Sequence, residues 1–136
     1  MKDLHAVILP EDRRYTTAHE WIKTLDDGTL RIGISDYAQD QLGDIVFVGL
    51  PDVGATFDKG AEFASIESVK AVSEAYMPLD GAVTAVNTDL EDAPELINSA
   101  PYEAGWIIEM TPDEPAQVEQ FMDKNAYLDM LQEEAS

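Results

Sequence analysis

The chain contains no cysteine. Disulfides, thiolate metal sites and thiol chemistry by the polypeptide itself are therefore excluded, and any sulfur redox chemistry would have to arrive on a prosthetic group. Basic residues are scarce: 8 lysines and arginines face 28 carboxylates, for a formal net charge of −20. A surface of that sign repels phosphate, which argues against nucleic acid as a partner and disfavours anionic membranes. It suits brief, salt-sensitive encounters with basic docking faces. No apolar run approaches the roughly 20 residues that span a bilayer. The apolar patch Ala6–Leu9 is flanked by acids and followed by no small-residue cleavage site, so no signal peptide is expected and the expected location is the cytoplasm.

Histidine is equally sparse. His5 and His19 are the only two, neither at the spacing of a catalytic triad, and each is expected to be an ordinary surface or partly buried side chain. No glycine run forms a phosphate loop. The acid pairs Asp26–Asp27, Glu91–Asp92 and Asp113–Glu114 lack the ligand spacing of a calcium loop and read as solvated faces. The residues thus propose no catalytic group and no metal site.

What is present is a globular composition. Apolar residues make up 45% of 136 positions, enough for one domain, expected over 1–136 with a core at about 15–110 and a helical segment at about 111–134. EWIKTLDDGTLRIGIS reads as a hairpin about Asp27–Gly28. Ser35 is a good N-cap for a short helix, DYAQDQL, and Gly43 is placed to end it. DIVFVGL, EFASIESV, AVSEAYM, AVTAVN and GWIIEM read as strands. EDAPELIN can form one or two helical turns, with Pro94 at a first helical position. Thr111 or Pro112 is expected to open the C-terminal helices, whose last acids, Glu133 and Glu134, look solvated. Two segments, from Gly43 to Glu67 and from Gly81 to Glu109, repeat a glycine–strand–loop–strand order, which predicts a small sandwich of two similar halves.

Lys70 falls at the reversal between EFASIESV and AVSEAYM, at the junction of those halves. A lysine on a β-turn projects clear of both strands, where another enzyme can reach its amine. A protonated amine is a poor unaided nucleophile, yet it can be acylated by an enzyme that supplies an activated acyl group and removes the proton. Glu67 is placed to help such an enzyme recognise the site. The plain alternative is a solvated turn lysine on an acidic interaction module.

ESVKAVSEAYMPLDGAVTAVN resembles the lipoyl-attachment segment of the glycine cleavage system H protein family. YTTAHEWIK, GISDYAQDQLGDIVFVGLPDVG, LEDAPELIN and PYEAGWIIEM continue the likeness in order, over residues 10 to about 134. Ala64, Glu74 and the AYMPLD stretch depart modestly from the family pattern. The resemblance implies a mainly β fold with short helices, a lipoyl/biotinyl-carrier-like sandwich of two quasi-symmetric halves with an N-terminal hairpin and C-terminal helices. It implies lipoic acid in amide linkage to Lys70, and a non-catalytic shuttle between glycine decarboxylase (P protein), the tetrahydrofolate-dependent aminomethyltransferase (T protein) and dihydrolipoamide dehydrogenase (L protein). A lipoate ligase or a lipoyl/octanoyl transferase would load it, and the carrier is expected to be a monomer. A lipoyl relay, or an H-like carrier for other lipoate-dependent metabolism, is compatible with the same residues. A biotin carrier would have methionine on both sides of the lysine, where this chain has Val69 and Ala71.

Overall fold

In the computed structural model, which describes residues 7–135, the alternating segments on either side of Asp27–Gly28 pair as a hairpin. A two-residue strand, β1 (Arg14–Tyr15), flanks its first arm, β2 (Glu20–Thr24), and the second arm is β3 (Leu30–Ile34). Gly28 takes φ 88°, which a side chain would resist. Asp27 braces the turn by accepting from both the N–H and the hydroxyl of Thr29. Ser35 then caps α1 (Asp36–Leu42), accepting from the Ala38 N–H at 3.1 Å, and Gly43 ends the helix at φ 78°.

Six further strands follow: β4 (Ile45–Gly49), β5 (Thr56–Phe57), β6 (Glu62–Ser68), β7 (Val72–Tyr76), β8 (Gly81–Val86) and β9 (Ile108–Pro112). One sheet runs β1-β2-β3-β9-β8-β5 and the other β4-β6-β7, with every pairing antiparallel. The expected halves are visible in the pairing, for β4 joins β6 in one sheet as β8 joins β9 in the other. Their inner faces meet in one apolar core. Ile22, Ile32, Val83, Ile108 and Met110 come from the large sheet, and Val48, Ile66 and Ala75 from the small one.

A second cluster lies on the opposite face of β2, since Trp21 points away from its neighbour Ile22. It gathers Tyr15, Trp21, Tyr102, Tyr127 and Leu131, the last two from α4 (Lys124–Ala135). The C-terminal helix is thereby held against the back of the hairpin.

Three expectations change. β1 and β5 had no periodic pattern to show them, being two residues each. Pro94 does not begin a helix. It separates α2 (Asp89–Asp92) from α3 (Leu96–Ser99), because proline can neither donate an N–H nor fit against the preceding turn. Thr111 and Pro112 remain in β9, opposite Ala82 and Gly81, so the sheet register overrides their helix-opening chemistry. Helical structure starts as a 3-10 segment at Pro115–Gln120, and the α-helix only at Lys124. His5 lies outside the described residues. Among the described residues, no helix is long and apolar enough to cross a membrane.

Candidate functional site

The β6–β7 hairpin ends its ladder at Glu67 opposite Val72 and reverses through Ser68–Ala71, with Lys70 at the tip. Ser68 closes the turn with backbone and side chain together. Its N–H donates to the Ala71 carbonyl at 2.8 Å, and its Oγ accepts the Ala71 N–H at 3.1 Å. The hydroxyl oxygen stands where a ladder carbonyl would otherwise be needed. Val69 and Lys70 pay no left-handed strain, since His19 is the only non-glycine residue with positive φ among those described.

The tip is anchored from behind. The Val69 N–H donates to the Asp44 carbonyl at 3.0 Å, which ties it to the residue before β4. That residue's neighbours are held by Asn98 of α3. Asn98 Oδ1 accepts the Ile45 N–H at 2.8 Å, and its Nδ2 donates to the Gly43 carbonyl and to Gln39 Oε1, both at 2.9 Å. One amide side chain thus joins α1, β4 and α3 beneath the lysine turn. Asn98→Ala should lower stability by about 1–3 kcal/mol, because it leaves backbone groups without partners. The urea midpoint would register this, and amide exchange at Ile45 and Val69 should quicken beyond the global change.

Lys70 itself is exposed, and its stem passes Gly43: a Cβ added there would lie 3.7 Å from Lys70 Cε. Among the described residues, no hydrogen bond or ion pair engages its Nζ. A rigid base with a free amine at its apex is what acylation by a second enzyme requires.

Beside the hairpin runs a groove of about 280 Å³ between α1 and the β6–β7 strands. Ile34, Tyr37, Ala38, Leu42 and Ile66 give it apolar walls, while His19, Gln41, Ser73 and Glu74 supply polar ones. Ile66 and Ser73 form the second pair below the turn, roughly 7–10 Å from its tip at the usual strand rise.

His19, expected to be an ordinary surface or partly buried side chain, is partly buried and hydrogen-bonded. Its φ is 72°, its Nδ1 lies 2.8 Å from the Tyr127 hydroxyl, and that hydroxyl lies 2.7 Å from Ser35 Oγ. Burial holds its ring below the usual histidine range, with Glu134, 3.6 Å from Nε2, opposing the shift. The groove residues went unnamed from the sequence because they come from four separated segments. Glu20 was also missed. It is buried at 2% exposure, accepting from the Thr16 hydroxyl at 2.9 Å and the Tyr76 N–H at 3.2 Å. Desolvation pushes its carboxyl up to about 7 against those two bonds. Its place between two polar partners on β2 gave no periodic signature.

A two-sheet sandwich offering a lysine at a hairpin apex is a lipoyl-carrier-like fold. Residues 13–134 match the family model described as glycine cleavage H-protein, and the chain belongs to that family. It is 49% identical over 126 residues to the glycine cleavage system H protein of Pseudoalteromonas atlantica, covering 93% of this chain and 98% of that one. It is 57% identical over 119 residues to that of Listeria welshimeri, covering 88% and 94%. The crystal structure of a glycine cleavage system H protein from Mycobacterium marinum superposes with a TM-score of 0.83 at 38% identity, over 91% of this chain and 99% of the other.

Proposed function

We propose that this chain is the lipoyl-bearing shuttle of the glycine cleavage system, with lipoic acid in amide linkage on Lys70. The observation that carries the reading is the exposed, unpartnered Lys70 at the apex of a pinned hairpin, in a chain of the H-protein family. The residues present fit the group, since nothing described encloses the amine. Attachment needs an activated acyl donor, an acyl adenylate or acyl thioester, held by a lipoate ligase or a lipoyl/octanoyl transferase. The Nζ lone pair forms the amide bond, the leaving group departs with the electrons of the bond it loses, and the enzyme's base takes the amine's proton. Once bound, the group supplies a dithiolane able to carry an aminomethyl unit from glycine decarboxylase to the aminomethyltransferase and a dithiol to dihydrolipoamide dehydrogenase.

The chain's own residues then hold and shelter rather than react. The groove beside the hairpin lies within reach of an arm on Lys70. Ile34, Leu42 and Ile66 would exclude water from it, and Glu74 adds negative charge at its wall, which suits a protonated amine. The carrier is read as a non-catalytic monomer of the cytoplasm, whose acidic surface steers it to basic faces.

Intact mass after incubation with lipoate, ATP and a lipoate ligase tests the assignment, followed by peptide mapping. A single lipoyl increment on the peptide holding Lys70, absent from Lys70→Arg, is expected. An increment that persists in Lys70→Arg, or none in the parent, would remove the carrier role from this lysine.

A further inference from the structure

The outer face of the small sheet is apolar where it meets the lysine turn. Phe47, Glu67 and Val72 stand in register across β4, β6 and β7, so they share the face turned away from the core. Phe47 is 52% exposed and Val72 63%, and Val69, in the turn itself, is 68% exposed. A register shift between Ile45 and Phe47 puts Val46 at an irregularity of the strand, where it too is exposed. Of the large exposed hydrophobics among the described residues, Val69 and Val72 flank Lys70 in the chain, while Val46 and Phe47 lie on β4, with the Phe47 ring leaning toward Gly49. One carboxylate borders them and one interrupts them: Asp44 adjoins the turn through its carbonyl, and Glu67, on the central strand, lies between Phe47 and Val72. Single exposed valines need no explanation, whereas Val69 and Val72 on either side of one exposed lysine, with Phe47 on the same sheet face, offer an apolar docking surface.

We propose that this apolar collar seats the lipoate-attaching enzyme, through an apolar face that carries basic groups opposite Asp44 and Glu67. The inference rests on the Lys70 reading, and the choice of partner rests on reach. Fully extended, Nζ stands roughly 6 Å from its own Cα. An enzyme that forms a bond to that atom must therefore press the mouth of its active site against the turn and the strand ends below it. An enzyme acting at the far end of an attached eight-carbon acyl chain works roughly 14 Å out and can leave the collar uncovered. The Asp44 and Glu67 carboxylates select those basic groups.

The test is the initial rate of lipoylation by purified lipoate ligase, followed by intact mass at several carrier concentrations. Val69→Thr and Val72→Thr keep a β-branched residue, and Phe47→Thr replaces one strand former by another, all at exposed positions, so the fold is retained, which unchanged thermal midpoints would verify. Each should lower kcat/KM by about tenfold, chiefly through KM, as expected for a residue near an interface centre. Ile8→Ser, at another exposed apolar position, should stay within about twofold of the parent. Parent protein that takes no lipoyl group would end both this inference and the Lys70 reading. Parent that is modified at Lys70, with collar variants modified equally fast, would overturn the collar alone. Variants driven to full lipoylation with excess ligase are then assayed with dihydrolipoamide dehydrogenase. A loss there as large as in acylation would overturn the assignment to the attaching enzyme, and a loss confined to acylation supports it.

Discussion

Trp21→Ala should destabilise the protein by about 3–5 kcal/mol, the range for removing a buried indole. Trp21 has 0% exposure and sits at the centre of the aromatic cluster, its Nε1–H donating to the Pro101 carbonyl at 3.0 Å. The cavity cannot easily be refilled. Tyr15 and Tyr127 are stacked with centroids 4.7 Å apart, and the Tyr102 hydroxyl is held in hydrogen bonds to Asp36 N–H and the Ile8 carbonyl. Arg13, itself 6% exposed, lies with its guanidinium 4.7 Å from the indole centroid and would lose that partner while remaining buried. Small domains are stable by about 5–15 kcal/mol, so this one change consumes a large share. Denaturant titration by far-UV circular dichroism would measure it. The consequence reaches the groove, because the same cluster holds α4, and α4 supplies the Tyr127 hydroxyl that fixes His19. Near-UV signals of the tyrosines should therefore weaken before the sheets melt. A loss below about 1 kcal/mol would mean that α4 is held by something other than this cluster.

The parts of the fold that were legible from sequence are those set by local chemistry. Asp27–Gly28, Ser35 and Gly43 declare a hairpin, a helix start and a helix stop because each satisfies its own neighbours' backbone groups. Lys70 could be placed at a reversal for the same reason, since the strands on either side carry their own β-branched pattern. What long-range pairing decides was not legible. Thr111–Pro112 carries helix-opening chemistry, yet the β8 register keeps both residues in a strand. Residues 45–48 (IVFV) are apolar at every position, so nothing in their pattern tells the core face from the outer one, and the structure leaves Val46 and Phe47 in solvent. The groove is assembled from Ala18–His19, α1, Ile66 and Ser73–Glu74, and no short window contains its parts. Asn98 looked like one residue of a short helix, and its role appears only when Gly43 and Ile45 arrive beneath it.

Glu20→Gln should change the pH dependence of stability more than its value at any single acidic pH. In the folded protein burial raises the Glu20 carboxyl from its ordinary 4.5 to about 7. Between those values the folded chain keeps a proton that the unfolded chain gives up, so stability falls as pH rises. The contribution is fully present below pH 4.5, is lost as pH rises through about 7, and amounts to about 3 kcal/mol across that window. Glutamine removes the titration without emptying the site. Its Oε1 can accept the Tyr76 N–H, and its Nε2 can donate to Thr16 Oγ1, which also accepts the residue 20 backbone N–H. Urea unfolding of both proteins from pH 4 to 8.5 gives the difference directly. The two should be nearly equal at pH 4.5, and the variant should gain steadily, ending about 1–3 kcal/mol more stable above pH 7.5. A difference that stays flat across the window would mean that Glu20 is solvated in the folded state, and that the Thr16 and Tyr76 contacts open in solution. A steady gain would mean that the wild-type chain carries an ionised, buried carboxylate at a stability cost, held in place by a threonine hydroxyl and one backbone amide.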